Sequence, residues 1–304
     1  MDVANRFRGC LLGLACGDAV GTTVEFSPRG SFTPLTDMVG GGPFHLPVGA
    51  WTDDTSMSLC LAASLIECGT FDLTDQIQRY CRWQDEGYLS STGRCFDIGV
   101  TIRGALDRFR RDGKPEAGSI DPYSAGNGCI MRLAPVVLYA YPDTLLASEL
   151  AAESSKTTHC AEECLDACRL MSDILCRSIA GRSREKVLLG DDPANYSMSK
   201  VKDMASGTWQ RKSREQILGS GYVIKSLEAA LWCCWHTDNF RDAVLLAANL
   251  GDDADTTAAV VGQIAGAIYG EQGIPSEWLA KLVMRDEIAT MAEQLLVMSE
   301  GRKS

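Results

Sequence analysis

The stretch "NLGDDADTTAAVVGQIAGAIYG" (residues 249–270) places three aspartates directly before a run built almost wholly from Ala, Gly, Val and Ile. The apolar residues recur at three- and four-residue spacing, which predicts a helix buried in the interior of the protein. Asp252, Asp253 and Asp255 lie where that helix would begin. Like charges at the edge of a core are costly to bury, so a purely structural role does not account for all three.

Small residues recur every four positions in two segments: Ala258, Gly262 and Gly266 in this stretch, and Gly9, Gly13, Gly17 and Gly21 near the N-terminus. Residues four apart share one face of a helix. Each glycine inside a helix costs about 0.5–1 kcal/mol relative to alanine, so such a stripe needs a structural reason. We expect the two helices to pack closely and to bring the N- and C-terminal motifs together.

Helical periodicity dominates the remainder of the chain, as in "AEECLDACRLMSDILCRSI" and "GYVIKSLEAALWCCW", and no convincing alternating strand appears. The 304 residues are 45% hydrophobic and 23% charged, which is typical of a globular protein. We therefore expect one all-α domain over residues 1–304. The stretch near 183–214 is rich in Lys, Asp and Ser and is interpreted as a flexible polar insertion.

The charge and hydropathy of the chain argue against several classes of partner. A formal net charge of -11, with no basic stripe, disfavours general binding to nucleic acids or anionic membranes. No segment approaches the roughly 20 apolar residues that a membrane span needs. The short apolar run after Arg6 and Arg8 is interrupted by Asp18, which is not typical of a secretion signal. We expect a cytoplasmic protein.

Thirteen cysteines are scattered through apolar segments without the paired spacing of zinc sites. They are interpreted as reduced and mostly buried thiols. His159, Cys160, Cys164 and Cys168 share a helix face and are the one arrangement that suggests a soft-metal site. No second cluster completes four ligands, so these residues are better interpreted as part of a buried face.

Two acidic clusters about two hundred residues apart share one layout, each ahead of an apolar helix: Thr52, Asp53 and Asp54 in "GAWTDDTSMSLCLAASL", and Asp253, Asp255 and Thr256 in "GDDADTTAAVVGQ". Such residues can cap free N–H groups and interact with the helix dipole. Capping explains one aspartate per helix but not two. A divalent cation bound between the helix starts would neutralise the remainder.

The chemistry of these residues favours Mg²⁺ or Mn²⁺ over zinc, because every candidate ligand is a hard oxygen donor. Five or six oxygen groups exceed what one octahedral Mg²⁺ with its waters would use. Two metal ions are therefore expected, an arrangement that holds adjacent oxygens and activates water.

A third acidic element is "GDAVGTTVE" (residues 17–25). The β-branched run after Gly21 predicts that the first helix ends before Glu25. Glu25 would then lie on a loop, where it could serve as an acid or base beside the metals. Considered alone, it could equally be a solvated loop carboxylate.

The motifs "GDAVGTTVE", "GAWTDDTSM" and "NLGDDADTTAAVVGQIAGAIYG", in this order, resemble those of the ADP-ribosylglycohydrolases, enzymes similar to the dinitrogenase-reductase-activating glycohydrolase. "FDIGVTIRGAL", "SAGNGCIMRLAPV", "TTHCAEEC" and "SGYVIKSLEAALW" extend the resemblance over about residues 5 to 270. The resemblance implies a compact orthogonal helical bundle and a two-metal centre. It also implies hydrolysis of the bond between ADP-ribose and a modified side chain, most often the arginine guanidinium.

The resemblance also implies roles for individual residues. The expected metal ligands are Thr52, Asp53, Asp54, Asp253, Asp255 and Thr256. Glu25 and Asp97 are the expected catalytic carboxylates, and Gly126, Asn127, Gly128, His159 and Tyr222 are expected to line the ADP-ribose cleft. In some family members the residue before the metal-binding aspartate is glycine, so Asp252 is expected to add charge near the site.

Elementary chemistry agrees with these assignments but leaves alternatives at three of them. The backbone N–H groups of "SAGNGC" could bind a diphosphate, at a helix start if "IMRLAPV" is helical before Pro135, or could form an ordinary turn. Tyr222 could stack on a base or belong to the core, and His159 could be a core or capping histidine.

The expected partner is an ADP-ribosylated protein, with ADP-ribose as the product. The alternatives are the same hydrolysis at another linkage (serine, nucleic acid or a free ADP-ribose derivative), an inactive ADP-ribose-binding member of the fold, and an unrelated Mg²⁺-dependent phosphohydrolase.

Overall fold

The computed structural model describes residues 1–189 and 192–302, and within them it contains fourteen α-helices and no β-strand. The first seven are α1 (Val3–Gly21), α2 (Asp53–Cys68), α3 (Leu73–Glu86), α4 (Val100–Asp112), α5 (Ala134–Ala140), α6 (Thr144–Ser155) and α7 (Glu162–Ile179). The others are α8 (Arg184–Leu188), α9 (Ser199–Ala205), α10 (Val223–Trp235), α11 (Phe240–Ala248), α12 (Ala254–Tyr269), α13 (Ser276–Lys281) and α14 (Arg285–Gly301). The predicted all-α fold is confirmed.

Short 3-10 helices connect several of these elements. They span Thr22–Val24, Pro122–Ser124, Asn127–Cys129, Pro193–Asn195, Thr208–Arg211, Arg214–Gln216 and Glu271–Gly273. The first of them follows α1 directly, so Glu25 lies outside the helix, as the β-branched run predicts.

The two glycine-striped helices, α1 and α12, lie in backbone contact along their length. A Cβ atom added at Gly13 would lie 2.3 Å from the carbonyl oxygen of Gly262. One added at Gly17 would lie 2.1 Å from that of Ala258. Both distances are far below van der Waals contact, so no larger residue fits without moving the backbone. The predicted close pair is confirmed, and it brings the end of α1 to the start of α12.

A smaller core lies on the other side of α2, where α3 and α4 pack against it. Its buried members are Met57, Cys60, Ile77, Tyr80, Trp83, Ile102, Ala105, Leu106, Ala117 and Met131. The segment before α4 runs from this core toward the starts of α2 and α12. This packing positions Asp97, three residues before α4 begins.

The polar stretch near 183–214 carries α8, α9 and three 3-10 helices. Its side chains Val187, Val201 and Trp209 are fully buried, and the Trp209 indole donates a hydrogen bond to the carbonyl of Met204. Residues 190 and 191, within the predicted insertion, lie outside the described residues. The flexibility of the stretch stays a prediction, while α9 reaches the mouth of the cavity described below.

All thirteen cysteines are free thiols and most are buried, as expected. Among the described residues, the groups of three or more ligand atoms within 4.8 Å of one another are all carboxylates, and none of them includes His159 or its neighbouring cysteines. None of the described helices is long and apolar enough to cross a membrane.

Candidate active site

The starts of α2 and α12 meet at the end of α1 and bring the two acidic motifs into one place. Thr52 is the N-cap residue of α2 and Asp253 is the N-cap residue of α12. Neither side chain accepts a hydrogen bond from the N–H groups of its own helix. The structural alternative, in which these residues serve as helix caps, therefore does not describe this protein.

Asp18 on α1 caps α2 in their place. Its buried carboxylate accepts four hydrogen bonds: from the backbone N–H groups of Thr52 (2.9 Å) and Thr55 (3.0 Å), and from their hydroxyls (2.9 and 2.6 Å). This arrangement fixes the start of α2 against α1 and leaves Asp53 and Asp54 free for another role. Sequence reasoning did not identify Asp18 as a site residue, although it is the one acidic residue in a buried glycine-rich helix.

The remaining carboxylates form what we call the acid cluster: Asp53, Asp54, Asp253 and Asp255. The hydroxyl of Thr52 lies 3.3 Å from Oδ2 of Asp54 and 3.2 Å from Oδ2 of Asp255, so it joins the two helix starts. Thr256 Oγ1 lies 3.4 Å from the same oxygen of Asp54. A hydroxyl has a single hydrogen to donate, so Thr52 cannot satisfy Asp18, Asp54 and Asp255 together.

Several oxygens of this region have no protein partner. Oδ1 of Asp54, Oδ1 of Asp255 and Oε2 of Glu25 are buried without a hydrogen bond in the described residues. Burial and the neighbouring carboxylates raise the pKa of Asp54 and Asp255 well above the usual range. Unsatisfied buried oxygens of like charge need a counter-charge, and hard oxygens are the donors that Mg²⁺ and Mn²⁺ prefer.

The residues present therefore fit a divalent cation. Two overlapping groups have ligand oxygens within 4.8 Å of one another: Asp53, Asp54 and Asp255 form the first, and Glu25, Asp97 and Asp255 form the second. Because Asp255 belongs to both, the geometry has room for two adjacent positions.

Glu25 and Asp97 lie next to each other at the edge of the acid cluster, each with a carboxylate oxygen within 4.8 Å of one from Asp255. Burial, and next to it the charge of Asp255, raises the pKa of Glu25 to about 12. Burial, and next to it the charge of Asp18, raises the pKa of Asp97 to about 7. Asp97 has a positive φ of 59°, a conformation that non-glycine residues rarely adopt and that is common at functional sites.

The acid cluster opens into a cavity of about 360 Å³. Its lining includes Glu25, Asp53, Asp97, Asp253, Asp255 and Thr256 together with Gly126, Asn127, Gly128 and His159. Thr52 and Asp54 lie behind this lining and are fully buried. The structure thus brings twelve of the thirteen residues expected in the site to the cavity or directly behind it, and Tyr222 is the exception.

His159 lies directly beneath the turn at residues 126–128, which we call the glycine turn. A Cβ atom at Gly128 would lie 2.7 Å from Cε1 of His159, so only glycine lets the turn rest on the imidazole. Nδ1 of His159 is 2.8 Å from the hydroxyl of Thr158. Burial lowers the pKa of His159 to about 4, so the ring is neutral near pH 7.

The turn that carries Asn127 differs from the helix start considered from the sequence. Residues Asn127–Cys129 form a 3-10 helix, and α5 begins only at Ala134 with Pro135 in its first turn. Proline lacks an N–H group and suits the beginning of a helix. The condition of a helix over "IMRLAPV" before Pro135 is therefore not met, and the segment forms the turn that was the alternative.

The side chain of Asn127 points to the acid cluster. Its amide nitrogen donates to Oδ2 of Asp253 at 2.6 Å, and Oγ of Ser226 is 3.2 Å away. Asn127 therefore orients an expected metal ligand in addition to lining the cavity. Its sequence position gave no sign of this contact, which spans 126 residues.

Tyr222 lies at the N-cap of α10, outside this cavity but on a second one of about 640 Å³. The two cavities share Thr101, Gly126 and Gly221. The Tyr222 hydroxyl donates to Glu163 and accepts from Lys200 at 2.7 Å. We call Glu163, Lys200 and Tyr222 the rim triad.

Asp252 does not line the cavity, although its charge is one of the causes that raise the pKa of Asp253, after burial of that carboxylate. The residue is exposed and has a φ of 56°. Its backbone pairs with the segment after Glu25: the Phe26 N–H donates to the Asp252 carbonyl (2.8 Å), and the Asp252 N–H donates to the Ser27 carbonyl (2.8 Å). The positive φ explains why glycine also suits this position.

Comparison with known proteins agrees with this geometry. The family model described as ADP-ribosylglycohydrolase matches residues 1–304. The ADP-ribosylarginine hydrolase Tri1 of Serratia proteamaculans is 47% identical over 97% of this chain and 80% of the relative. The ADP-ribosyl-[dinitrogen reductase] glycohydrolase of Rhodospirillum rubrum is 34% identical over 98% of each chain.

A solved structure titled ADP-ribosylglycohydrolase-related protein complex superposes with a TM-score of 0.86 at 40% identity. The match covers 98% of this chain and 99% of the other. The chain therefore belongs to the ADP-ribosylglycohydrolase family.

Proposed function

We propose that this glycohydrolase cleaves the N-glycosidic bond between ADP-ribose and an arginine side chain of a modified protein. The observation that carries the proposal is the acid cluster, in which two helix starts present buried carboxylate oxygens that no protein group satisfies. The relatives named ADP-ribosylarginine hydrolase, at 45–47% identity, support arginine as the linkage. The released product would be ADP-ribose.

Six residues would hold two Mg²⁺ or Mn²⁺ ions: Thr52, Asp53, Asp54, Asp253, Asp255 and Thr256. When bound, such a pair supplies Lewis-acid contacts to adjacent hydroxyls, and it lowers the pKa of water. A ribose offers two neighbouring hydroxyls, so the acid cluster is suited to fix the sugar that carries the scissile bond.

The other side chains of the cavity would orient the substrate and move protons. Glu25 and Asp97 border the opening next to Asp255, so we assign them the proton transfers that accompany loss of the guanidinium and entry of water. Glycosidases commonly divide this work between two carboxylates. The turn at Gly126–Gly128 would bind the diphosphate through its backbone N–H groups.

The acidic lining also suits the leaving side chain. No lysine or arginine appears among the described residues that line the first cavity, while five carboxylates do. With two divalent cations bound by the acid cluster, Glu25 and Asp97 are the carboxylates that remain to face a cationic guanidinium. A neutral serine linkage would gain nothing from this field, which favours arginine over the serine alternative.

The test is mass spectrometry of two peptides, one carrying ADP-ribosyl-arginine and one carrying ADP-ribosyl-serine, incubated with the enzyme and Mn²⁺. We expect loss of the whole ADP-ribosyl group from the arginine peptide, blocked by EDTA. Release of AMP or phosphate would instead indicate a phosphohydrolase. Faster cleavage of the serine peptide would overturn the assignment of the linkage.

The Asp54→Asn variant provides the matched control, because Asp54 is fully buried and the substitution conserves its shape. We expect it to fold and to leave the arginine peptide intact. Full activity in this variant would exclude the acid cluster as the catalytic centre.

A further inference from the structure

The rim triad contains the one cation among the described residues that line the two joined cavities. The first cavity is lined by five carboxylates, and its histidine is neutral. The second is lined by Lys200 together with Glu163 and Tyr222. A ligand that carries a diphosphate therefore meets a single positive side chain in this cleft.

The geometry of Lys200 leaves one donor for such a ligand. An ammonium group has three N–H donors. Nζ of Lys200 is 2.7 Å from the hydroxyl of Tyr222 and 2.9 Å from Oε1 of Glu163, which accounts for two of them. The lysine side chain is 56% exposed while that of Glu163 is 14% exposed, so the remaining N–H lies on the open side of the pair.

The two anchors also fix where the ammonium lies. Glu163 is in the first turn of α7 and Tyr222 is at the N-cap position of α10, and both helices are part of the main core. Lys200 comes from α9, whose Val201 is fully buried. The ammonium is thus held by three separate helices, a degree of fixation that an exposed lysine does not have alone.

We propose that Lys200 is a substrate-binding residue that contacts the diphosphate of the ADP-ribosyl group. The proposal rests on the proposed function, because it takes its ligand from it. Glu163 and the Tyr222 hydroxyl position the ammonium, and the glycine turn shared by the two cavities lies between it and the acid cluster. The polar stretch near 183–214 thereby contributes to ligand recognition.

The experiment is isothermal titration calorimetry of the full chain with Mn²⁺, using ADP-ribose and the uncharged probe adenosine. Lys200→Met removes the charge, Lys200→Arg retains it, and Lys202→Met is the matched control on the same helix. We expect Lys200→Met to weaken ADP-ribose binding about tenfold. Adenosine binding should change less than twofold, and the Arg variant and the control should bind ADP-ribose like the wild type.

A salt titration of ADP-ribose affinity gives an independent result. Salt screens interactions between exposed charges, so the affinity of Lys200→Met should fall less steeply with salt than that of the wild type. Unchanged affinity and an unchanged salt dependence in Lys200→Met would overturn the proposal. An equal loss of ADP-ribose and adenosine binding would also overturn the proposal, because it would mean that Lys200 acts only by holding Tyr222 in place.

Failure of the proposed function would look different. If the wild-type protein neither binds ADP-ribose nor cleaves the arginine peptide, the proposed function is wrong, and ADP-ribose is not the ligand of this cleft. Wild-type protein that does both, together with a Lys200→Met variant that binds ADP-ribose normally, would overturn only the role of Lys200.

Discussion

The acid cluster borders the first cavity, the rim triad borders the adjoining second cavity, and the two groups are stabilised in opposite ways. The acid cluster has three buried carboxylates and a half-buried one, Asp253, and no cation from the described residues, whereas in the rim triad Lys200 and Glu163 neutralise each other. The first arrangement is unstable without a cation, whereas the second has its charges paired without a ligand and keeps one N–H donor of Lys200 for a ligand. Substitutions in the two regions should therefore affect stability, metal binding and ligand binding differently.

The largest effect is expected from Gly13→Val, which disrupts the helix contact beneath the acid cluster. The new side chain would meet the backbone of Gly262, because its Cβ alone would lie 2.3 Å from that carbonyl. We expect a loss of more than about 3 kcal/mol in the free energy of unfolding, measured by urea denaturation. The rim triad would be lost along with the fold.

Gly104→Ala is the matched control for that experiment. Gly104 lies inside α4, and its nearest new neighbour would be a flexible arginine atom at 3.4 Å. The free energy of unfolding should stay equal or rise by about 0.5–1 kcal/mol. Equal losses in both variants would mean that the close contact with Gly262 does not explain the first result, because Gly104 has no such contact.

Asp255→Asn should separate activity from stability. Turnover of the arginine peptide should fall by at least about a thousandfold, because Asp255 belongs to both groups of close carboxylates. In EDTA, the free energy of unfolding should rise by about 2 kcal/mol, because one buried like charge is removed. A less stable variant in EDTA would show that mutual repulsion does not strain the acid cluster.

The pH dependence of stability should reverse when metal is added. Raised pKa values of Asp54, Asp97 and Asp255 mean that the folded protein binds protons that the unfolded chain has lost. The stabilisation that comes from these bound protons is complete below pH ~4 and is lost as the pH rises. For Asp97 it is lost by about pH 7. In EDTA, the free energy of unfolding should therefore fall by about 1–3 kcal/mol from pH 5 to pH 8.

The same titration with saturating Mn²⁺ should show stability increasing with pH. Cation binding requires the ionised carboxylates, and binding to the folded state alone stabilises it. Identical pH profiles with and without Mn²⁺ would exclude a cation from the acid cluster.

Asp18→Asn should weaken metal binding through Thr52 without removing any expected ligand. An amide cannot accept all four hydrogen bonds that the Asp18 carboxylate receives. We expect a 10- to 100-fold loss in Mn²⁺ affinity, measured by calorimetry. The control is Asp166→Asn, a buried carboxylate that accepts from the N–H groups of Ser197 and Met198; its Mn²⁺ affinity should stay within twofold.

Local sequence rules predicted the parts of the site that depend on helix faces and helix starts. The four-residue spacing of Gly9, Gly13 and Gly17 was sufficient to predict the contact with α12. The aspartates of the acid cluster were found because each precedes an apolar helix. These features depend on residues a few positions apart, so they can be recognised in a single sequence without a structure.

The parts that were missed depend on contacts between distant segments. Asp18 caps α2 across 34 residues of largely irregular chain, and no spacing rule links the two. Lys200 lies in a stretch whose polar composition resembles an ordinary surface insertion. Its place in the rim triad becomes visible only when α7, α9 and α10 are packed together.

Substitutions of Asp252 should have the smallest effect on Mn²⁺ affinity. They test how far the electrostatic field of the acid cluster extends. The sequence suggested that this extra aspartate alters metal affinity, but its side chain is exposed. Solvent and salt screen exposed charges, so Asp252→Asn should change Mn²⁺ affinity by less than about twofold. Asp252→Gly should retain the positive φ without strain and change the free energy of unfolding by less than about 1 kcal/mol. A tenfold weaker Mn²⁺ affinity in both variants would mean that the negative field of the acid cluster extends to the protein surface. The contrast with the self-neutralised rim triad would then begin outside the cavity.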